Sequence, residues 1–116
     1  MENSILVSRA AVYVRSVAEL DNFGEIERQR NICEEYIRDH GYELAGVYMD
    51  NGASGSTLQR PAMDRLRADA AAGKFDRIVV VDLSRIARNR LLLEQFIYEM
   101  QAQVIFIDCV KEMSKR

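Results

Sequence analysis

Four arginines, Arg15, Arg60, Arg85 and Arg88, stand where the chain leaves predicted strands or loops, away from the solvated flanks of its helices. Arg15 follows the apolar run Ala10-Ala11-Val12-Tyr13-Val14. Arg85 and Arg88 follow Ile78-Val79-Val80-Val81, and Arg60 closes a Gly/Ser-rich loop before Pro61. A guanidinium presents a planar fork of donors, so arginines at strand ends suit a planar oxyanion such as a phosphodiester. Hydroxyl and carboxyl groups share the same stretches: Ser16 beside Arg15, Asp50 and Ser54 ahead of Arg60, and Asp82 and Ser84 ahead of Arg85.

The elements that must carry these groups alternate regularly. Ala10–Arg15 reads as a buried strand, and residues 22–40 repeat Ile26, Ile32/Cys33 and Tyr36/Ile37 at a helical period until Gly41 stops them. Leu44–Met49 is a second strand, followed by the polar loop 50–60. Pro61 suits the first turn of a helix that turns Met63, Leu66 and Ala70 inward and closes at Gly73. Arg77–Leu83 is a continuous apolar strand of the sort buried on both faces. A helix follows over about Arg90–Gln101, and Val104–Ile107 is a fourth strand. This alternation with short joints predicts an α/β fold: a single-domain, open, mostly parallel sheet of four to five strands with helices on both faces. In such sheets ligands lie beyond the carboxyl ends of the strands, where three separate segments here deliver arginine or hydroxyl.

Bulk composition sets the bounds. At 116 residues the chain is one domain, expected to bury about 65% of its unfolded surface. A net charge of −2 and a pI near 5.4 exclude a polycation, so any nucleic acid must meet a local basic site or a partner domain. Cys33 and Cys109 lack metal-ligand spacing and read as buried reduced thiols. No apolar run approaches the roughly 18 residues of a membrane span. Ile5-Leu6-Val7 is too short for a signal sequence, and a cytoplasmic location is expected.

Four segments in order resemble the catalytic domain of serine recombinases (resolvases, invertases and large serine integrases): Tyr13-Val14-Arg15-Ser16, Gln29-Arg30, Asp50…Ser54-Gly55…Arg60-Pro61, and Asp82-Leu83-Ser84-Arg85-Ile86-Ala87-Arg88-Asn89. The resemblance runs from about Arg9 to Ile107 and is closest to the large serine integrase and transposon recombinase branch. It implies a parallel-sheet fold and DNA strand exchange through a serine–phosphate linkage, without metal or nucleotide cofactor. Arg15, Arg60, Arg85 and Arg88 match the family's phosphate-binding arginines, while Gln29, Asp50 and Ser54 match supporting positions. The family pattern Tyr-x-Arg-x-Ser places its nucleophile where this chain has Val17, so Ser16, one residue early, is the candidate nucleophile. Ser84 stands where many members carry aspartate, with Asp82 two residues earlier, which leaves the general acid and base unassigned. The implied partners are DNA and further copies of the chain, dimers assembling into a tetramer in the full-length protein. The implied layout is a leader over 1–8, a catalytic domain over 9–110, and at 111–116 the start of a truncated extension, with DNA recognition carried elsewhere.

Plainer readings stand beside these. Ser54-Gly55 is a common turn pair, and Gln29 can cap a buried backbone group. Arg28, Arg30, Arg38, Arg65 and Arg67 read as solvated i,i+4 partners of helix carboxylates. His40, the only histidine, sits at a helix end as a dipole partner. The five methionines read as core filler or terminal residues. Two other functions remain open: a catalytically silent recombinase-like domain, motivated by Val17, and a phospho-acceptor domain using Asp82. The latter chemistry wants Mg²⁺ and further carboxylates after the first strand, where Arg15 stands instead.

Overall fold

The structure, a computed structural model, describes residues 7–16, 22–52, 58 and 60–113. Its elements are β1 (Arg9–Ser16), α1 (Asn22–Asp39), β2 (Glu43–Asn51), α2 (Pro61–Ala71), β3 (Arg77–Val80), a 3₁₀ turn (Leu83–Arg85), α3 (Arg90–Ala102), β4 (Phe106–Cys109) and α4 (Val110–Met113). The four strands form one parallel sheet in the order β2-β1-β3-β4, within the predicted class.

β1 is central because it is apolar on both faces: Ala10 through Val14 are fully buried. Ala10, Val12 and Val14, with Val79 of β3, meet Cys33, Tyr36 and Ile37 of α1. Ala11 and Tyr13, with Ile78 and Val80, meet Ala62, Met63 and Leu66 of α2 and Phe96 and Met100 of α3. The period-2 alternation of β1 thus distributes its side chains between two helical layers. The connection β1-α1-β2 leaves β1 in one direction and β2-α2-β3 returns across it, with α1 and α2 on opposite faces. Such a reversal opens a crevice outside the carboxyl ends of the two diverging strands, here β1 and β3.

Two strand limits differ from expectation. The apolar run after Arg77 continues to Leu83, yet β3 ends at Val80. Asp82, in extended conformation, accepts from the Ser84 amide and hydroxyl and folds the chain into the 3₁₀ turn. Leu83 therefore packs on the core from a turn. The fourth strand begins at Phe106, two residues late, because Val104 adopts φ 59° and turns the chain before the strand can start. Gly41 and Gly73, the predicted helix stops, have φ 72° and 75°, the left-handed conformation that closes a helix with least strain in glycine.

Candidate active site

Arg15 leaves β1 at its carboxyl end and is 1% exposed. Its Nε donates to the Arg85 carbonyl at 2.9 Å and its Nη2 to the Ser84 carbonyl. Arg60, the N-cap residue of α2 and 3% exposed, enters from the same side. Its Nη1 donates to Tyr13 Oη at 3.2 Å and to the Arg85 carbonyl at 3.4 Å, and its Nη2 to the Ile86 carbonyl. Two guanidinium groups from distant segments thus converge on the backbone of residues 84–86. Arg60 Nε is buried with no hydrogen-bond partner.

Arg85 runs the other way, across the end of β1 toward α1. Its Nη1 donates to the Arg15 carbonyl at 3.2 Å and its Nη2 to Glu25 Oε2 at 3.0 Å. Arg88 is exposed on the same loop. The cations share one field: the Arg15 pKa is lowered first by burial, then by Arg60, with Arg85 and Arg88 contributing further repulsion. The four arginines singled out in the sequence are therefore brought together, two buried and two toward solvent.

The supporting groups hold backbone in place. Gln29, 2% exposed, accepts from the Arg15 amide at 3.2 Å and donates to the Arg15 carbonyl at 3.0 Å, so one side-chain amide completes the hydrogen bonding of the strand end. Asp50, on β2 opposite Arg15, accepts from the amides of Ala62 at 2.8 Å and Met63 at 3.0 Å. These are unpaired donors in the first turn of α2, where Arg60 supplies no side-chain cap. Asp50 also accepts from Tyr13 Oη at 2.7 Å, giving a relay from Arg60 through Tyr13 to the carboxylate. Burial, then the bond to Asp50, drives the Tyr13 pKa far above the ordinary phenol value and keeps the hydroxyl a neutral donor. Asp82 is held by Ser84 and lies 3.8 Å from Arg85 Nε, an arrangement unsuited to a free phospho-acceptor carboxylate.

Ser16, the last residue of β1, is 4% exposed, pairs with Asn51, and its carbonyl accepts from the Gly52 amide at 2.7 Å. Strand alternation assigns it to the face shared with Val12 and Val14, the α1 side that Arg85 crosses to reach. Val17 and Ser54 lie outside the described residues, as do most of the leader (1–6) and the final three residues.

Sequence reasoning missed Glu25, which binds Arg85, Arg28 and Gln29 together. The signal was present, since Glu25 stands four residues before Gln29 and so on the same helix face. Arg30 pairs with Glu34 at i,i+4 as expected, while Arg28 pairs with Glu25 at i,i+3. Arg67 does not follow that pattern: it reaches Glu99 of α3 at 3.1 and 2.7 Å, because α2 and α3 share one face of the sheet. His40 stacks on Tyr36 with centroids 3.9 Å apart, and its Nδ1 meets the Tyr36 carbonyl at 2.8 Å. Among the described residues no group of three His, Cys, Asp or Glu is arranged to hold a metal ion.

Comparison with known proteins gives the same family at three levels. The family model described as "Resolvase, N terminal domain" matches residues 10–116. A Bacillus subtilis (strain 168) protein named "Putative DNA recombinase" is 31% identical over 103 residues, covering 84% of this chain. The chain spans only 20% of that protein's length. Among solved structures, the N-terminal catalytic domain of TP901-1 integrase superposes with a TM-score of 0.82 at 28% identity, over 90% of this chain and 79% of that one. The C-terminal catalytic domain of ISC1926 TnpA, an IS607-like serine recombinase, gives 0.82 at 25% identity, over 88% of this chain and 67% of that one. The parallel sheet thus has its counterpart in solved structures of a known group, and the chain belongs to the resolvase N-terminal domain family of serine recombinases.

Proposed function

We propose that this domain cleaves and exchanges DNA strands, with Ser16 as nucleophile and Arg15, Arg60, Arg85 and Arg88 as the phosphate-binding set. The observation that carries this reading is the convergence of Arg15 and Arg60 on the backbone of residues 84–86 and of Arg85 on the end of β1, with Arg88 exposed on the same loop. A phosphodiester under attack spreads negative charge over its non-bridging oxygens, and fixed cations stabilise that charge. Ser16 Oγ forms a bond to phosphorus as the bond to the 3′ oxygen breaks. One end then becomes a phosphoseryl ester and the other a free 3′ hydroxyl. The number of phosphoester bonds is unchanged, so religation needs no ATP. Gln29, Asp50, Asp82 and Ser84 act through backbone, by fixing the strand end, the start of α2 and the 3₁₀ turn. Ser54 belongs to the same supporting set. Residues 9–110 form the catalytic unit, and DNA recognition and assembly through dimers into a tetramer belong to the longer protein.

The burial of Ser16 within β1 favours a second reading, a recombinase-like domain that binds phosphate or assembles with partners without cutting. A cognate DNA duplex carrying a nick, incubated with the full-length protein, separates the two. Attack by Ser16 yields a covalent protein–DNA adduct that Ser16→Ala abolishes. Replacing Arg85 or Arg88 by alanine then lowers the rate of adduct formation about 100- to 1000-fold. An adduct that persists undiminished in Ser16→Ala rules Ser16 out. An inactive parent that gains cleavage on the Ser16→Val/Val17→Ser exchange establishes the silent reading.

A further inference from the structure

Glu25 is a carboxylate inside a cluster suited to binding an anion. It lies in the first turn of α1. Its Oε2 accepts from Arg85 Nη2 at 3.0 Å and Gln29 Nε2 at 2.9 Å, and its Oε1 from Arg28 Nη2 at 2.5 Å. The Glu25 and Arg85 side chains are each 23% exposed, so the pair is partly shielded from water. One Nη of Arg85 is aimed at this carboxylate and the other at the Arg15 carbonyl, which fixes the orientation of the guanidinium. A carboxylate and a phosphodiester offer a guanidinium the same kind of paired oxygens, and one N–H cannot serve both fully.

We propose that Glu25 is an internal stand-in for the DNA phosphate. It occupies Arg85 in the free protein, holds that side chain across the end of β1, and gives way when a phosphodiester arrives. The inference rests on the phosphate-binding role proposed above for the arginines. Two further features fit such an exchange. Glu25 supplies negative charge to a site where Arg60, Arg85 and Arg88 each repel Arg15. Arg28, whose side chain is 67% exposed, and Gln29 retain the carboxylate after Arg85 leaves, so its release strands no unpaired buried charge. Glu25 is thus a positioning residue that acts through Arg85.

The test is a titration of the 116-residue chain with a fluorescent DNA duplex at a series of low salt concentrations. Glu25→Gln keeps the shape of the side chain and removes its charge. It is expected to tighten binding about fivefold, the scale of a partly shielded ion pair. It also steepens the slope of log affinity against log salt by about one phosphate contact. In an Arg85→Ala background Glu25→Gln changes neither quantity, which separates competition for Arg85 from a general structural effect. As a check free of substitution, the side-chain carboxyl ¹³C resonance of Glu25 in the wild-type chain shifts when duplex is added. Unchanged or weaker binding by Glu25→Gln, or a stationary resonance, overturns the inference. If Arg85→Ala and Arg88→Ala still weaken binding in that case, the phosphate role of the arginines stands. Indifference of duplex binding to both arginine substitutions removes that role and the inference together.

Discussion

The arginines of this domain divide their work by burial. Arg15 and Arg60 point inward and donate to the carbonyls of residues 84–86, which ties the turn after β3 to the ends of β1 and α2. Arg85 and Arg88 are left nearer solvent. Asp50 supports this arrangement from beneath, as a carboxylate on one strand that satisfies two amides of a helix distant in sequence. Asp50→Ala is expected to leave the Ala62 and Met63 amides and the Tyr13 hydroxyl without their acceptor. It should destabilise the fold by about 2–4 kcal/mol, as read from urea denaturation. Asp50→Asn, which keeps one acceptor oxygen, recovers part of that loss. Equal stability of Asp50→Ala and wild type contradicts the capping role. The placement of the arginines at strand ends was legible from the residues that precede them. That Asp50 acts mainly on amides was not, because its partners are brought to it by the docking of α2 on β2.

The three long helices were legible nearly to the residue, two of them through local stops, since Gly41 and Gly73 take left-handed conformations at the predicted ends; the short α4 was not foreseen. Strand ends were less so. Hydrophobicity continues through Val81 and Leu83, but Asp82 captures the Ser84 amide and converts the run into a turn. A run of apolar residues reports burial and does not say whether an extended strand or a turn supplies it. At the other edge Val104, β-branched and 73% exposed, takes φ 59°, where a side chain crowds the backbone. Val104→Gly is expected to raise stability by about 0.5–1 kcal/mol through relief of that strain, measured as a higher thermal midpoint. A lower midpoint means that the contacts of the valine outweigh its backbone conformation.

A domain with a net charge of −2 still brings four arginines to one crevice, and the reversal of strand order fixes where that crevice lies. The same local electrostatics set its response to pH. The Glu25 carboxyl is held below the ordinary range, chiefly by its hydrogen bond from Arg28, and that of Asp69 by its bond from Tyr48. Depressed folded-state values mean that this stabilisation is complete above the unfolded-state values, near pH 4. It is lost as pH falls through the folded-state values. Burial pushes the Cys33 thiol and the Tyr48 hydroxyl up to about 12. Their contribution is therefore full below the unfolded-state values of about 8.5 and 10, and lost as pH rises through those of the folded state. Denaturation midpoints across pH should fall on both flanks of a neutral plateau. Glu25→Gln should shallow the acid flank, and an unaltered acid flank contradicts the ion-pair assignment. Among the described residues no helix is long and apolar enough to cross a membrane.

The order of residues alone determined the alternation of strands and helices, the burial of β1 and the presence of arginines at the strand ends. Each of these follows from periodicity and backbone preference over a few neighbours. Tertiary structure decided which acceptor each guanidinium meets. Arg15 finds the carbonyl of Arg85, 70 positions away, and Arg85 finds Glu25, 60 positions away. Such pairings depend on strand order and on which face each helix covers, and the folded sheet establishes both by bringing the ends of β1 and β3 together.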